Sequence, residues 1–276
     1  MFEGLARFAL LSSFALAPGA AFSEPAKFNL ETLRVGGTGA TNEMAKSLGA
    51  LFATETGITL ELIPSLGTGG GNNAVADGVI DLCISGRPLN PAEIAKGLTV
   101  VAELRTPFGM VTSHPKPNGF KSAEIAQLYQ SDKPIWADAT PIRIILRPTN
   151  ESDTWALGHI FPGMIAAIAK VRSRADMSVA ATDQDNADMA EKTQGSLVGA
   201  TFTQIKMEKR DLRFVAIDGV EPSLETYEKG TYPFGKSLYI VLAAKRSPAG
   251  ERFLTFLRSP NGAAALREAG VLLSAE

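Results

Sequence analysis

The chain has 276 residues, 45% of them hydrophobic and 20% charged, with 27 Lys and Arg against 29 Asp and Glu and a formal net charge of -2. That composition excludes a disordered or fibrous chain, and the charge balance excludes a nucleic-acid surface held by bulk positive charge, so any anion site must be local. A prior of roughly 150 residues per domain divides this length into two lobes.

The opening MFEGLARFALLSSFALAPGAAFSEPA reads as an export signal. Arg7 precedes an apolar stretch from Phe8 to Leu16, then come Pro18, Gly19 and small residues, with cleavage expected after Ser23. The stretch is shorter than the ~20 residues that span a bilayer, and no other long apolar run follows. A strand is expected at Leu33 to Gly36, then a helix at Glu43 to Thr54 with Met44, Leu48, Leu51 and Phe52 on one face, and a second strand at Thr59 to Ile63. Asn72 to Asp77 opens a short helix, and Val79 to Ser85 reads as a buried strand. The single cysteine, Cys83, lies in that strand and reads as a structural thiol. This alternation implies a parallel sheet with right-handed crossovers.

Thr99 to Thr112 reads as two extended segments crossing into the second lobe, where Ser122 to Tyr129 is a helix and Ile142 to Arg147 a strand. Asn186 to Lys192 and Ser196 to Thr203 follow as helix and strand. Ser237 to Lys245 is a strand, and Ala249 to Leu257 and Asn261 to Ala269 are helices that return to the first lobe. His114 reads as an exposed turn residue, His159 as a core or supporting residue, and Trp136, Trp155, Tyr129 and Tyr232 as packing residues. With two histidines and one cysteine, no metal site is expected and no cofactor is implied.

Three strand-to-helix junctions carry small hydroxyl and glycine residues where a helix begins: VGGTGATNEMA (Val35 to Ala45), IPSLGTGGGNNAV (Ile63 to Val75) and RIILRPTNESDTWAL (Arg143 to Leu157). Helix starts leave backbone N–H groups unpaired at the positive end of the dipole and so favour anions. At the carboxyl ends of parallel strands, three such ends imply one enclosed oxyanion. Neither glycine loop has the spacing of a dinucleotide fingerprint or a nucleotide phosphate loop. Arg147 ends an apolar strand, where a guanidinium needs a ligand or a buried carboxylate. Arg87 meets either the ligand or Asp81 or Glu93.

Six segments in order make the chain resemble the PstS-like phosphate-binding proteins of bacterial ABC importers. They are GTGAT, LGTGGG, DGVIDLCISGRPLNPAEI, LYQSDKPIWADATPIRIILR, the Ile217 to Val241 block IDGVEPSLETYEKGTYPFGKSLYIV, and FLRSPNGAAALREAGVL. The resemblance implies an α/β two-lobe periplasmic-binding-protein fold (type II-like), each lobe a mostly parallel sheet flanked by helices with the ligand cleft between. Residues 27–105 plus about 215–276 would form lobe one, residues 106–214 lobe two, and residues 1–23 the signal. It implies a periplasmic, monomeric, non-enzymatic protein that captures phosphate by hinge closure and presents it to an ABC permease, with no nucleic-acid partner. Carried over by position, Gly39, Ala40 and Thr41 bind oxyanion oxygens from the first loop, and Thr68, Gly69 and Gly70 from the second. Arg147 makes a charge-assisted contact with Ser152 and Thr154 beside it, and Arg87 is a neighbour.

Two departures bear on selectivity. Many phosphate binders place an Asp where this chain has Gly86, to accept the ligand's proton, and the family's glycine between Ser and Thr at the third junction is here Asp153. Asp153 and Glu151 put negative charge beside an anion site, which opposes binding unless one accepts a ligand proton or pairs with an arginine. The expectation is that Asp153 has become the proton acceptor. The alternatives are a different oxyanion (sulfate, molybdate, tungstate) or small organic acid, or an exported phosphate-sensing or phosphate-ester-hydrolysing protein.

Overall fold

The computed structural model describes residues 32–64 and 66–274, with Met1. The export signal expected at 1–23 therefore lies, Met1 apart, outside the described residues. The elements run β1 (Thr32–Gly37), α1 (Asn42–Thr56), β2 (Thr59–Leu62), α2 (Gly67–Ala76), β3 (Leu82–Ser85), α3 (Pro91–Ala95) and β4 (Leu98–Thr112). Then come α4 (Ile125–Gln130), β5 (Arg143–Leu146), α5 (Ser152–Ile160), α6 (Met164–Arg172), β6 (Ser178–Val179), α7 (Asp183–Lys192), β7 (Ser196–Thr201), α8 (Phe202–Met207) and β8 (Arg213–Phe214). The tail is α9 (Leu224–Glu228), β9 (Gly235–Ala243), α10 (Pro248–Leu257), α11 (Pro260–Glu268) and β10 (Leu272–Leu273).

The strands pair in the order β2-β1-β3-β9-β4-β7-β5-β6, with β10 and β8 also on β4. Each end of this order is parallel: β1 with β2 and β3, and β5 with β6 and β7. The middle, β3, β9, β4 and β7, is antiparallel. Four apolar clusters form among the described residues, and two of them are the main cores. One gathers Leu33, Leu48, Phe52, Leu104, Phe253 and Leu257, and the other Phe108, Tyr129, Trp136, Leu157, Phe161 and Tyr232. Most of the driving force is this burial, at about 25 cal/mol per Å² of apolar surface.

The 98–112 stretch is one strand rather than two segments, with an irregularity between Val100 and Ala102. It pairs β9 as far as Pro107 and β7 from Phe108, so it carries the chain from one core to the other. Val215, Ile217 and Tyr232 are buried in the second core, and the Phe234 carbonyl accepts the Phe108 N–H at 3.0 Å, beside the outward crossing. Two adjacent antiparallel strands thus connect the halves, a geometry that permits hinge motion.

Helix α2 begins at Gly67, five residues before the expected Asn72, so most of the glycine run is helical rather than loop. Packing explains it: a Cβ on Gly71 would lie 2.6 Å from Cys83 Sγ and 2.9 Å from Gly37 Cα. His114 is a correction. It is 4% exposed, stacks on Trp136 at 5.0 Å and sets Nε2 3.0 Å from Asp138 Oδ2. Trp155 and His159 are corrected the other way, being exposed and stacked on each other at 4.4 Å. Among the described residues, no helix is long and apolar enough to cross a membrane, and no cluster of three His, Cys, Asp or Glu could hold a metal.

Candidate functional site

Beyond the carboxyl ends of β1, β2, β5 and β6, the chain enters a helix within a few residues, and hydrogen bonds and ion pairs tie these starts together. After β1 the first loop forms a single 3-10 turn, Gly39–Thr41, with all three residues buried. The Ala40 N–H and the Thr38 hydroxyl are both engaged. Asp183, the first residue of α7, places Oδ2 2.9 Å from the Ala40 N–H and 3.1 Å from Thr38 Oγ1. Gln184 donates from Nε2 to the Gly39 carbonyl at 2.9 Å and to Glu208 at 2.8 Å. Gly39 is needed for this approach, since a Cβ there would lie 2.6 Å from Gln184 Oε1 and 3.0 Å from Asp183 Oδ2.

A second contact between the halves centres on Lys236, at the start of β9. Its ammonium pairs with Asp153 and donates to Ser152 Oγ at 2.9 Å, and both charged side chains are 1% exposed. Gly86, at the end of β3, fits only because it has no side chain: a Cβ would lie 2.4 Å from Ser152 Oγ and 3.2 Å from Lys236 Nζ. The Gly86 N–H donates to Thr68 Oγ1 at 2.9 Å, which ties the start of α2 to this point. Lys236 thus links Gly86, at the end of β3, to Ser152 and Asp153, at the start of α5. Asp153 Oδ2 is buried and without a partner, and burial pushes its carboxyl up, with Asp183 adding to the rise and Lys236 opposing it.

Arg147, 5% exposed, joins the two contacts. One terminal nitrogen lies 3.3 Å from both Glu151 and Asp183, the other donates to the Ala180 carbonyl at 2.7 Å, and Nε is buried and unpaired. A cavity of about 80 Å³ opens against this guanidinium, lined also by Gly39, Leu66, Gly67, Glu151 and Asp183. Burial also pushes the Glu151 carboxyl up, with Arg147 opposing it. The closed site thus sets three carboxylates (Glu151, Asp153, Asp183) against two cations (Arg147, Lys236).

Of the residues expected here, the structure gathers Gly39, Ala40, Thr41, Thr68, Gly86, Arg147, Ser152 and Asp153. The Thr41 hydroxyl turns back to the Thr38 carbonyl at 2.9 Å. Gly69 and Gly70 are exposed, and Thr154 donates to the carbonyls of Pro148 and Arg147 at 2.9 and 3.2 Å. Arg87 is spent on Glu93, with bonds of 2.9 and 2.8 Å, and on the Pro88 carbonyl. Lys236, Asp183 and Gln184 were not expected. A lysine in the apolar strand GKSLYIV signals a buried charge without naming its partner, and the capping box at the start of α7, where Thr182 caps Asp185, signals only a helix start.

Solved structures share this architecture at low identity. A protein from Clostridium perfringens described as a phosphate ABC transporter substrate-binding protein, with bound phosphate, is 15% identical at a TM-score of 0.76, over 88% of this chain and 100% of that one. The periplasmic molybdate-binding protein of Azotobacter vinelandii is 12% identical at a TM-score of 0.60, over 88% and 100%. PstS from Borrelia burgdorferi is 17% identical at 0.52, over 88% and 98%. Among curated proteins none matches the sequence. Residues 23–261 match the model of the PBP superfamily domain, most of the chain, and with the two-core fold and its inter-half cleft this makes the protein a member of the PBP superfamily, PstS-like in fold.

Proposed function

We propose that this protein is an extracytoplasmic solute-binding protein that closes its halves around a small tetrahedral oxyanion, phosphate foremost, and presents it to the permease of an ABC importer. The observation that carries the reading is the meeting of four helix starts with Arg147 and Lys236 between the halves. Backbone N–H groups and a guanidinium aimed into a space shut from water are what a desolvated oxyanion needs. The bound phosphate of the Clostridium protein supports the same choice. The Lys236 ammonium beside Ser152 Oγ is held in an ion pair with Asp153 and so has no lone pair to take the hydroxyl proton, which favours capture over ester hydrolysis.

Three carboxylates oppose a dianion, so the ligand enters as a protonated species whose hydroxyl donates to the free Asp153 Oδ2. Calorimetry of the mature protein against phosphate, sulfate, molybdate and acetate tests the reading. Phosphate is expected to bind and to be preferred over sulfate, and Asp153→Asn is expected to erase that preference. Silence across the panel would reject oxyanion capture, and unchanged discrimination in the variant would reject Asp153 as the proton acceptor. The molybdate-binding neighbour supports a second reading, a fully deprotonated ligand, which the same panel separates.

A further inference from the structure

We propose that Asp183 is a built-in competitor ligand: its carboxylate occupies the first loop's oxyanion seat when no solute is present, holds the halves closed, and sets which anions can enter. This deepens the oxyanion-capture reading and rests on it. The Ala40 N–H and the Arg147 guanidinium are groups a solute would use, and one carboxylate now takes both, Oδ2 on the amide and Oδ1 3.3 Å from the guanidinium. Thr38 supplies a third contact at 3.1 Å, and Asp183 is only 5% exposed. The three groups come from both halves, so the carboxylate bridges them as a bound anion would.

The local structure shows that this carboxylate is not serving its own helix. The cap of α7 is Thr182, whose hydroxyl accepts from the Asp185 N–H at 3.0 Å. The main chain at Asp183 is anchored separately, its carbonyl accepting from Gln204 Nε2 at 3.0 Å. Exchange with a solute is therefore a side-chain rotation, with the backbone left in place. The same logic yields selectivity. A monocarboxylate offers two oxygens and one charge, the equal of what it must displace, and gains nothing. A tetrahedral oxyanion brings two further oxygens to a cavity lined by Arg147, whose Nε is buried and unpaired. The resident carboxylate also lowers every apparent affinity by the fraction of molecules it occupies.

The test measures closure and binding separately. Spin labels at cysteines replacing Ser47 and Lys192, both exposed and on opposite halves, report the distance between halves, while native Cys83 is buried. Ligand-free protein with Asp183 intact is expected to give one short distance, and Asp183→Ala a longer, broader one that excess acetate restores. Asp183→Asn, which keeps the shape and loses the charge, is expected to bind phosphate about tenfold more tightly, as if the latch left roughly one molecule in ten competent. An unchanged distance in ligand-free Asp183→Ala, or an opened variant that acetate fails to close, overturns the proposal. If Asp183→Ala does not fold, the Asp183→Asn distance decides: lengthened or broadened supports the latch, unchanged removes it. If no oxyanion binds any form, the capture reading fails while the distances still report on the latch.

Discussion

Replacing Lys236 by methionine keeps the volume of the side chain but leaves the Asp153 carboxylate facing an apolar chain in a site where both partners are 1% exposed. Removing one member of a buried ion pair costs about 3–5 kcal/mol, because the survivor keeps its desolvation penalty and loses its compensation. Ser152 Oγ also loses its donor at 2.9 Å, a smaller addition. At about 2–4 °C per kcal/mol for a chain this size, Lys236→Met should melt roughly 10 °C below wild type. The loss should depend on pH in a set direction. Burial already raises the Asp153 carboxyl, and removing Lys236 takes away an opposing influence. A carboxyl raised in the folded state binds its proton more tightly there than when unfolded, so stability falls as pH rises from the ordinary carboxylate range to the raised value. The variant should therefore recover part of its deficit on acidification. Lys236→Met with Asp153→Leu, which removes both charges, should regain most of the loss. Calorimetric melting of the three forms across pH checks this, and a single variant melting within about 2 °C of wild type would refute the buried-pair argument.

The sequence showed the places where strands end in helix starts, because glycine, threonine and serine at such positions have few other uses. It showed Arg147 for a similar reason: a guanidinium closing an apolar strand must be paired, and Asp183, Glu151 and the Ala180 carbonyl pair it. Arg87 has the same residue type but sits six positions from Glu93, and a capping box at Asn90 turns Glu93 toward it, so local pairing wins. Lys236 was hidden because its partner is 83 residues away, and no local pattern links position 236 to position 153. Asp183 was hidden differently. In TDQDN the cap signal reads as helix punctuation, and only tertiary structure shows that the first aspartate faces away from its own helix. Position 86 shows the limit of reading one site at a time. The residues there name Asp153 as a candidate carboxylate, but only tertiary structure shows that Ser152 and Lys236 fill the space glycine leaves open and that Lys236 pairs with Asp153.

Arg87→Ala should leave oxyanion affinity unchanged while lowering stability by about 1–2 kcal/mol, through loss of its paired bonds to Glu93. Burial alone would raise Glu93, but the Arg87 guanidinium, the Asn90 N–H and Asn72 hold it down at about 2 against an ordinary 4.5. That contribution is present above 4.5 and lost as pH falls toward 2, so an acid-unfolding series should show wild type and variant converging in that window. A large drop in affinity with the fold intact would return Arg87 to the cleft. Gly86→Asp asks whether the carboxylate has been relocated rather than lost. Its Cβ would lie 2.4 Å from Ser152 Oγ, and its carboxylate would compete with Asp153 for Lys236, so the substitution alone should weaken oxyanion binding by about tenfold, roughly 1.4 kcal/mol. Adding Asp153→Gly removes the competing charge, and if positions 86 and 153 share one role the pair should bind better than Gly86→Asp alone, a coupling that calorimetry can read. Strictly additive losses would mean that the two positions act independently, and that the carboxylate on α5 does not stand in for one at the end of β3.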